Sequence, residues 1–248
     1  MSNYKTINVR FQDDVCFLQF DRPAANNTIN GELVAECSRV LLACEDSTKI
    51  VVLSGSPEVF CLGADFSAAP AQDGPGPLYD LWLKLATGPF ITVAHVRGKV
   101  NAGGVGFVAA SDIVIADEAA QFSLSELLFG LYPACVMPFL IRRIGFQRAH
   151  YLTLTTQPIT VTQAAEWGLV DAVGPQSDVV LRRHLLRLRR PTKLAIRRYK
   201  HYMATLSQPK LADLRSPAVA ANLEVFSDPD NLSAITRYVE SGLFPWEK

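Results

Sequence analysis

The chain has 248 residues, of which 49% are apolar, and it can therefore bury a sizeable core in one large domain or two small ones. Its 24 basic and 24 acidic residues balance to zero net charge, which gives no support for a protein that binds nucleic acid or a membrane surface. The first residues lack the apolar core of a signal peptide, and no apolar run approaches the roughly 20 residues of a membrane helix. We expect a soluble, cytoplasmic protein.

The first half of the chain alternates apolar strands with helical segments. Residues 6–20 are typical of a β-hairpin, and apolar residues with helical spacing follow from Asn30 to Cys44. A short helix is predicted from Leu78 to Leu85. Further strands are predicted at KIVVLSG (49–55), ITVAHV (91–96) and DIVIAD (112–117). Continuous apolar strands between helices predict an α/β fold with a parallel sheet, arranged as a spiral of ββα turns.

Predicted strands become rare beyond Cys135, and the chain from Leu181 onward favours helices. The polar, proline-rich stretch 70–77 is typical of a mobile loop rather than a domain linker. We expect residues 1–190 to form the core that holds the site. Residues 191–248 should form a C-terminal helical region within the same folding unit.

The cysteines and histidines show no spacing typical of a structural metal or disulfide framework. Five cysteines without a CxxC pair favour reduced thiols. The four histidines form neither an HxxxH nor an HExxH pattern. We therefore predict no metal site.

Two glycine-containing turns each follow a predicted strand: FCLGADF (60–66) and NAGGVGF (101–107). Small residues leave backbone N–H groups unobstructed, and the second turn opens a helix, whose N-terminus favours negative charge. Two amides from separate turns can form an oxyanion hole for a thioester or amide carbonyl. Tight turns with close helix–sheet packing are the alternative. The glycine spacing is not GxGxxG, so a dinucleotide site is weakly supported.

Residues 122–133, FSLSELLFGLYP, contain a single carboxylate, Glu126, among apolar and small residues. Burying an unpaired charge is costly, so such a residue is usually solvated, paired or kept for chemistry. Apolar neighbours would raise the pKa of Glu126 by desolvation, which suits proton transfer near neutral pH.

The two turns, followed by DIVIADEAAQFSLSELLFGLYP, resemble the crotonase (enoyl-CoA hydratase/isomerase) superfamily over nearly the whole chain. The resemblance implies a crotonase fold whose C-terminal helices build a homotrimer or a dimer of trimers. It implies that the amides of Ala64 and Gly103 bind the thioester oxygen. The family's hydratases use two glutamates, of which the second matches Glu126 and the first is replaced by Gly106. This departure favours elimination or isomerisation with one glutamate.

Several segments resemble one branch of that superfamily, the dehydratases of polyketide β-branching cassettes. They include RPAANNTING, PEVFCLGADF, HVRGKVNAGG and RYVESGLFPWEK. This resemblance implies dehydration of a 3-hydroxy-3-methylglutaryl group on the phosphopantetheine arm of an acyl carrier protein, with no cofactor. Glu126 would take the C2 proton and also protonate the departing hydroxyl, which implies syn elimination. The alternatives are the sister decarboxylase, a hydratase or isomerase acting on coenzyme A thioesters, and a non-catalytic binding protein.

The free carboxylate of such a substrate needs a cationic or hydroxyl partner. Tyr79 and Lys84 follow the 70–77 stretch, and the sister decarboxylases use lysine and tyrosine in this region. These two residues are five apart, so they lie about 140° apart around a helix and need not share a face. Core packing for Tyr79 and surface solubility for Lys84 are therefore alternatives of equal weight to substrate binding. Asp65 and Tyr132 are further candidates for lining the substrate pocket. Alternatively, Asp65 caps the following turn and Tyr132 only packs.

A dense run of arginines and lysines occupies residues 182–200, and no acidic residue occurs between Asp178 and Asp213. In a chain without net charge this asymmetry predicts a patch for an acidic carrier protein or for coenzyme A phosphates. A solvated helix face is the alternative. The candidate contacts are Arg182, Arg183, Arg187 and Arg190.

Overall fold

The computed structural model describes residues 4–67, 74–206 and 209–247. The strands are β1 (Ile7–Gln12), β2 (Val15–Phe20), β3 (Ile50–Ser54), β4 (Val59–Cys61), β5 (Ile91–Val96), β6 (Lys99–Asn101), β7 (Ile113–Asp117), β8 (Gln121–Ser123), β9 (Ile159–Thr160) and β10 (Ala172–Gly174). The helices are α1 (Gly31–Ala43), α2 (Gly76–Thr87), α3 (Gly103–Ala110), α4 (Met137–Ile144), α5 (Phe146–Thr155), α6 (Val161–Glu166), α7 (Ser177–Leu188), α8 (Lys193–Leu206), α9 (Arg215–Ser227) and α10 (Pro229–Ser241). Two short 3-10 helices occupy Pro23–Ala25 and Glu126–Phe129.

The larger sheet has six strands in the order β1-β2-β3-β5-β7-β10. The β1–β2 hairpin is antiparallel, and the remaining neighbours are parallel. Strand β3 is buried on both faces: Ile50 and Val52 pack in a cluster with Leu181 and Leu185 of α7, whereas Val51 and Leu53 face the main core with α1 and α3. Burial on both faces explains why these strands are apolar without alternation.

The smaller sheet has the order β4-β6-β8-β9, in which β4, β6 and β8 are parallel and β9 is antiparallel. Along the chain, β3 leads into β4, β5 into β6, and β7 into β8. Helix α2 follows the first pair and α3 follows the second. This repetition confirms the predicted α/β class and the spiral of ββα turns.

The structure corrects several predicted boundaries. Strand β4 overlaps the first predicted glycine turn (60–66), and four further short strands, β6, β8, β9 and β10, were not predicted. Helix α2 begins at Gly76 rather than Leu78. Of the loop predicted over 70–77, residues 70–73 lie outside the described residues, and 74–75 form a turn.

The C-terminal helices pack directly on the sheet and on α2. The Lys200 ammonium of α8 binds the carboxylate of Asp112 at 2.6 Å and the carbonyl oxygen of Leu85 at 3.2 Å. The Tyr79 hydroxyl of α2 donates to the carbonyl oxygen of Leu211 at 2.7 Å. No helix within the described ranges is long and apolar enough to cross a bilayer.

Candidate active site

Three neighbouring parallel strands carry the predicted catalytic residues at their carboxyl ends. Ala64 follows β4, Gly103 follows β6, and Glu126 follows β8. The carboxyl ends of adjacent parallel strands meet at one edge of a sheet, with a spacing of about 4.8 Å between strands. The fold therefore brings the two amides and the carboxylate together at this edge, which we call the catalytic edge.

The two glycine turns touch each other. A β-carbon on Gly63, whose φ is +91°, would lie 2.7 Å from Cβ of Ala102 and 3.4 Å from the backbone nitrogen of Gly103. Position 63 therefore needs glycine both for its left-handed backbone and for the close approach of the second turn. This contact brings the backbones of the two predicted oxyanion turns side by side.

The hydrogen bonds of the first turn leave the Ala64 amide free. Ile29 donates its N–H to the Gly63 oxygen at 2.7 Å, and Asp65 donates its N–H to the Ile29 oxygen at 3.0 Å. This parallel bridge uses the groups on either side of Ala64, so the Ala64 amide points away from Ile29. Gly103 is the first residue of α3, where an N–H has no helical partner. In the described part of the chain, neither amide donates to another group.

Ala102, which precedes Gly103, has a strained backbone. Its φ of 50° and ψ of −123° lie in a region that residues with a β-carbon rarely adopt. Such strain persists only where neighbouring contacts hold it, and the Ala102 amide donates to the Ser123 oxygen of β8 at 3.0 Å. The sequence analysis did not identify Ala102, because an alanine in a sequence does not indicate a positive φ.

Asn101 links the oxyanion strand to the segment that carries Glu126. Its amide nitrogen donates to the Ser125 hydroxyl at 2.9 Å, and its amide oxygen accepts from the Ser123 hydroxyl at 2.9 Å. These bonds fix the end of β8 against the end of β6. Asn101 is therefore a positioning residue that the sequence analysis did not identify.

Glu126 begins a 3-10 helix and is only 9% exposed. One carboxylate oxygen, Oε2, is buried and has no hydrogen-bond partner among the described residues. Burial raises the pKa of Glu126 to about 7, against the opposing effect of hydrogen bonds from the backbone of Glu126 and Ser125. The predicted rise in pKa is confirmed, and a carboxylate with this pKa can both take and return a proton at neutral pH.

The ring of Trp82 closes the space beside Gly106. A β-carbon on Gly106 would lie 2.6 Å from both Cε2 and Cη2 of that ring. The ring is 1% exposed and packs edge-on against Phe107 and Phe139, with centroids 5.8 and 5.9 Å away. The position that matches the first glutamate of the two-glutamate hydratases therefore has no room for a side chain.

The structure does not bring Tyr79 or Lys84 to the catalytic edge. Tyr79 is fully buried, its hydroxyl is bound to Leu211, and burial raises its pKa to about 12. Lys84 pairs with Glu45, just after the end of α1, whereas Ala64 pairs with Ile29, just before its start. The 13 residues of α1 separate these ends by about 20 Å. The geometry favours the packing and surface alternatives for these two residues.

Asp65 and Tyr132 lie near the catalytic edge in different environments. The Asp65 carboxylate binds the Arg22 guanidinium at 2.6 Å and caps the backbone N–H of Ser67 at 3.0 Å. This arrangement supports the first oxyanion turn, as the turn-cap alternative predicts. Tyr132 follows the 3-10 helix of Glu126 and is 37% exposed.

The candidate arginines lie on or just after α7, and all four are exposed. The neighbouring Arg189 reaches Asp13 and Asp14 in the β1–β2 turn at 3.5 Å, and Lys49, before β3, donates to its backbone oxygen. Helix α7 therefore ends at the amino end of the larger sheet. The catalytic edge belongs to β4, β6 and β8, which follow the carboxyl ends of the larger sheet's strands β3, β5 and β7. Within one chain, Arg187 and Arg190 are not close to Glu126.

Known proteins match this chain closely. A model of the enoyl-CoA hydratase/isomerase family matches residues 10–248. The chain is 59% identical to the bacillaene synthase dehydratase PksH of Bacillus subtilis (strain 168), over 98% of this chain and 97% of that protein. It is 32% identical to the 2,3-dehydroadipyl-CoA hydratase of Escherichia coli (strain K12), over 84% of this chain and 82% of that protein.

A crystal structure described as a polyketide biosynthesis enoyl-CoA hydratase (pksH) from Bacillus subtilis has a TM-score of 0.94 at 57% identity. The match covers 98% of this chain and 100% of that chain. These comparisons confirm the crotonase resemblance and fold, and they make the protein a hydro-lyase. With nearly the whole sequence matched, the chain belongs to the enoyl-CoA hydratase/isomerase family.

Proposed function

We propose that the protein dehydrates a 3-hydroxy-3-methylglutaryl group carried on an acyl carrier protein, in the synthesis of a polyketide. The observation that carries this proposal is the buried carboxylate of Glu126, which has no cationic partner among the described residues and a pKa of about 7, while Trp82 excludes a second carboxylate at position 106. The 59% identity to a protein named a bacillaene synthase dehydratase supports the reaction class and the polyketide context.

The reaction begins at C2 of the thioester. The Glu126 carboxylate takes the C2 proton, and the C–H electron pair forms an enolate whose charge collects on the thioester oxygen. The amides of Ala64 and Gly103 donate to that oxygen, and the loss of one such donor costs about 3 kcal/mol of transition-state stabilisation in other enzymes. Because both amides are free in the described structure, they can bind the oxygen without breaking another bond.

The second half of the reaction removes the hydroxyl from C3. The enolate electrons form the C2–C3 double bond while the C3–O bond breaks and the thioester carbonyl is restored. Protonated Glu126 gives its proton to the departing oxygen, which leaves as water, and the carboxylate is regenerated. One carboxylate serves both steps, so the proton and the hydroxyl leave from the same face of the substrate.

The test is to incubate the protein with 3-hydroxy-3-methylglutaryl-carrier protein and to weigh the acyl group. We expect loss of one water in the wild type and no turnover in a folded Glu126→Gln variant. Further loss of carbon dioxide would identify a decarboxylase. An unchanged acyl group in the wild type would favour a binding role, and an active Glu126→Gln variant would refute the assignment of Glu126.

A further inference from the structure

A buried indole N–H lies beside the catalytic edge without a partner. Five buried side-chain polar atoms lack a hydrogen bond within the described ranges. Two of them, Oδ1 of Asp14 and Nε of Arg189, face each other as an ion pair at 3.5 Å. A third, Nε of Arg97, belongs to a guanidinium that donates through another nitrogen to Gly55. The remaining two are Oε2 of Glu126 and Nε1 of Trp82.

An unsatisfied buried donor costs about 1–3 kcal/mol, so a fold rarely keeps one without use. The position of Trp82 indicates what its N–H can bind. Atom Cε2, to which Nε1 is bonded, is 2.6 Å from where a β-carbon on Gly106 would lie, and Cζ2 is 3.9 Å from the equivalent point on Gly103. The N–H is therefore one bond from the ring edge that packs on the first turn of α3, where the oxyanion amide of Gly103 lies.

We propose that Nε1–H of Trp82 donates a hydrogen bond to the C3 oxygen of the β-hydroxyacyl thioester, which makes Trp82 a further catalytic residue. This inference rests on the proposed function. The thioester oxygen already has two backbone donors, and Glu126 handles the protons. The departing C3 oxygen, which gains negative charge as its bond to carbon breaks, is the remaining acceptor at the reacting centre.

The chemistry of indole suits this role. Its N–H is a donor only and does not ionise at neutral pH, so Trp82 stabilises the leaving oxygen but cannot protonate it. The proton on the departing water must then come from Glu126, as the balanced reaction requires. A neutral donor also places no second negative charge beside Glu126, so it does not repel the carboxylate that takes the C2 proton.

The kinetic test compares two reactions of the Trp82→Phe variant, which keeps an aromatic ring and removes the N–H. Dehydration of the hydroxylated carrier-bound substrate should slow by about 10- to 100-fold. Exchange of the C2 hydrogens of 3-methylglutaryl-carrier protein with deuterated water needs the amides and Glu126 but involves no C3 oxygen, so it should slow far less. An equal loss in both reactions would mean a purely structural role and would overturn the proposal.

Trp167→Phe is the matched control. Trp167 is half-buried and packs edge-on against Tyr151 of α5, with ring centroids 5.9 Å apart, so the same change there should alter neither reaction. Glu126→Gln separates the two hypotheses, because it must abolish both dehydration and exchange if the proposed function is right. Exchange that persists in Glu126→Gln would refute the proposed function, whatever the result for Trp82.

A second measurement leaves Trp82 intact and so does not depend on how Trp82→Phe folds. In protein labelled with ¹⁵N-tryptophan and carrying Glu126→Gln, the Nε1–H resonance of Trp82 should move downfield when the hydroxylated substrate binds. It should move little with the 3-methylglutaryl analogue. An equal shift with both ligands would assign the N–H to another group, such as the distal carboxylate, and would refute the assignment to the C3 oxygen.

Discussion

Glu126 shows how one residue acquires its chemistry from the place where a strand ends. Its carboxylate is neither solvated nor paired with a cation, and desolvation holds its pKa at about 7 rather than near 4.5. A general base works best when its pKa lies near the operating pH, and this rise in pKa makes Glu126 a stronger base that is still largely ionised at slightly alkaline pH.

The raised pKa predicts the pH dependence of the reaction. The base must be ionised in the free enzyme, so kcat/KM should fall about tenfold per pH unit below pH 7 and level off above it. Initial rates between pH 5.5 and 8.5 would measure this midpoint. Glu118→Gln, a change at an exposed glutamate, should leave the profile unchanged. A flat profile, or a midpoint near 4.5, would contradict the role of Glu126.

Gly106 is a second residue whose chemistry is set by its neighbour. Because a β-carbon there would overlap the Trp82 ring, Gly106→Ala should lower the free energy of unfolding by about 1–3 kcal/mol. Denaturant unfolding monitored by circular dichroism measures the change. Adding Trp82→Ala should make the two effects less than additive, because the new methyl group then has space. Strict additivity would show that the two side chains do not interfere.

At the level of the elements, the sequence predicted those with long hydrophobic patterns. Strands β3 and β5, helix α1 and the hairpin were all predicted, because each has five or more residues whose spacing reveals its period. Strands β4, β6 and β8 have three residues each and are held by pairing between distant segments, so local periodicity cannot reveal them.

These unpredicted strands form the catalytic edge. The roles of Ala64, Gly103 and Glu126 were predicted through the family resemblance, and the strand order shows why these residues meet. The contact of Trp82 with Gly106 could not be predicted, because it depends on how α2 packs against α3. In the sequence, Trp82 is simply an apolar residue of a helix.

The Arg22–Asp65 ion pair is the link between the first oxyanion turn and the chain before α1. Both side chains are largely buried, at 16% and 10% exposure, so removing the Asp65 charge leaves the Arg22 guanidinium without this carboxylate. We expect Asp65→Asn to reduce kcat about tenfold by loosening the turn that holds the Ala64 amide. Steady-state kinetics on the carrier-bound substrate measure the effect.

Asp80→Asn is the control for that variant. Asp80 pairs with Arg215 at the same 2.6 Å distance, but these side chains are 50% and 39% exposed, and such pairs contribute little. Its kcat should stay close to that of the wild type. If Asp65→Asn raised KM and left kcat unchanged, Asp65 would instead contact the substrate, which is the other role that the sequence allowed.

At the level of the whole molecule, the basic residues of segment 182–200 divide between structural and exposed positions. Lys193 donates to the Cys44 and Thr48 carbonyl oxygens, and Lys200 is buried against Asp112. These two lysines, which both lie on α8, hold that helix to the core. They leave only part of the predicted basic patch for a partner.

The direction of α7 predicts which arginines face a carrier protein. The helix runs from the carboxyl end of β10 toward the amino end of the sheet, so Arg182 and Arg183 lie nearer the catalytic edge than Arg187 and Arg190. Reversing the first pair to glutamate should raise KM severalfold for the carrier-bound substrate at low salt. Reversing the second pair should have less effect. Neither change should alter KM for a pantetheine thioester, which lacks the carrier protein. Equal KM values of the wild type and both variants for the carrier-bound substrate would remove α7 from the docking surface.

The fit between Gly106 and Trp82 also limits how this enzyme can change its reaction during evolution. A glutamate at position 106 alone would collide with the indole, and a small residue at position 82 alone would open a cavity in the core. Each single step toward a two-glutamate site therefore passes through an impaired protein. A second carboxylate at position 106 therefore requires two changes at once, so the fold itself keeps this site to one glutamate.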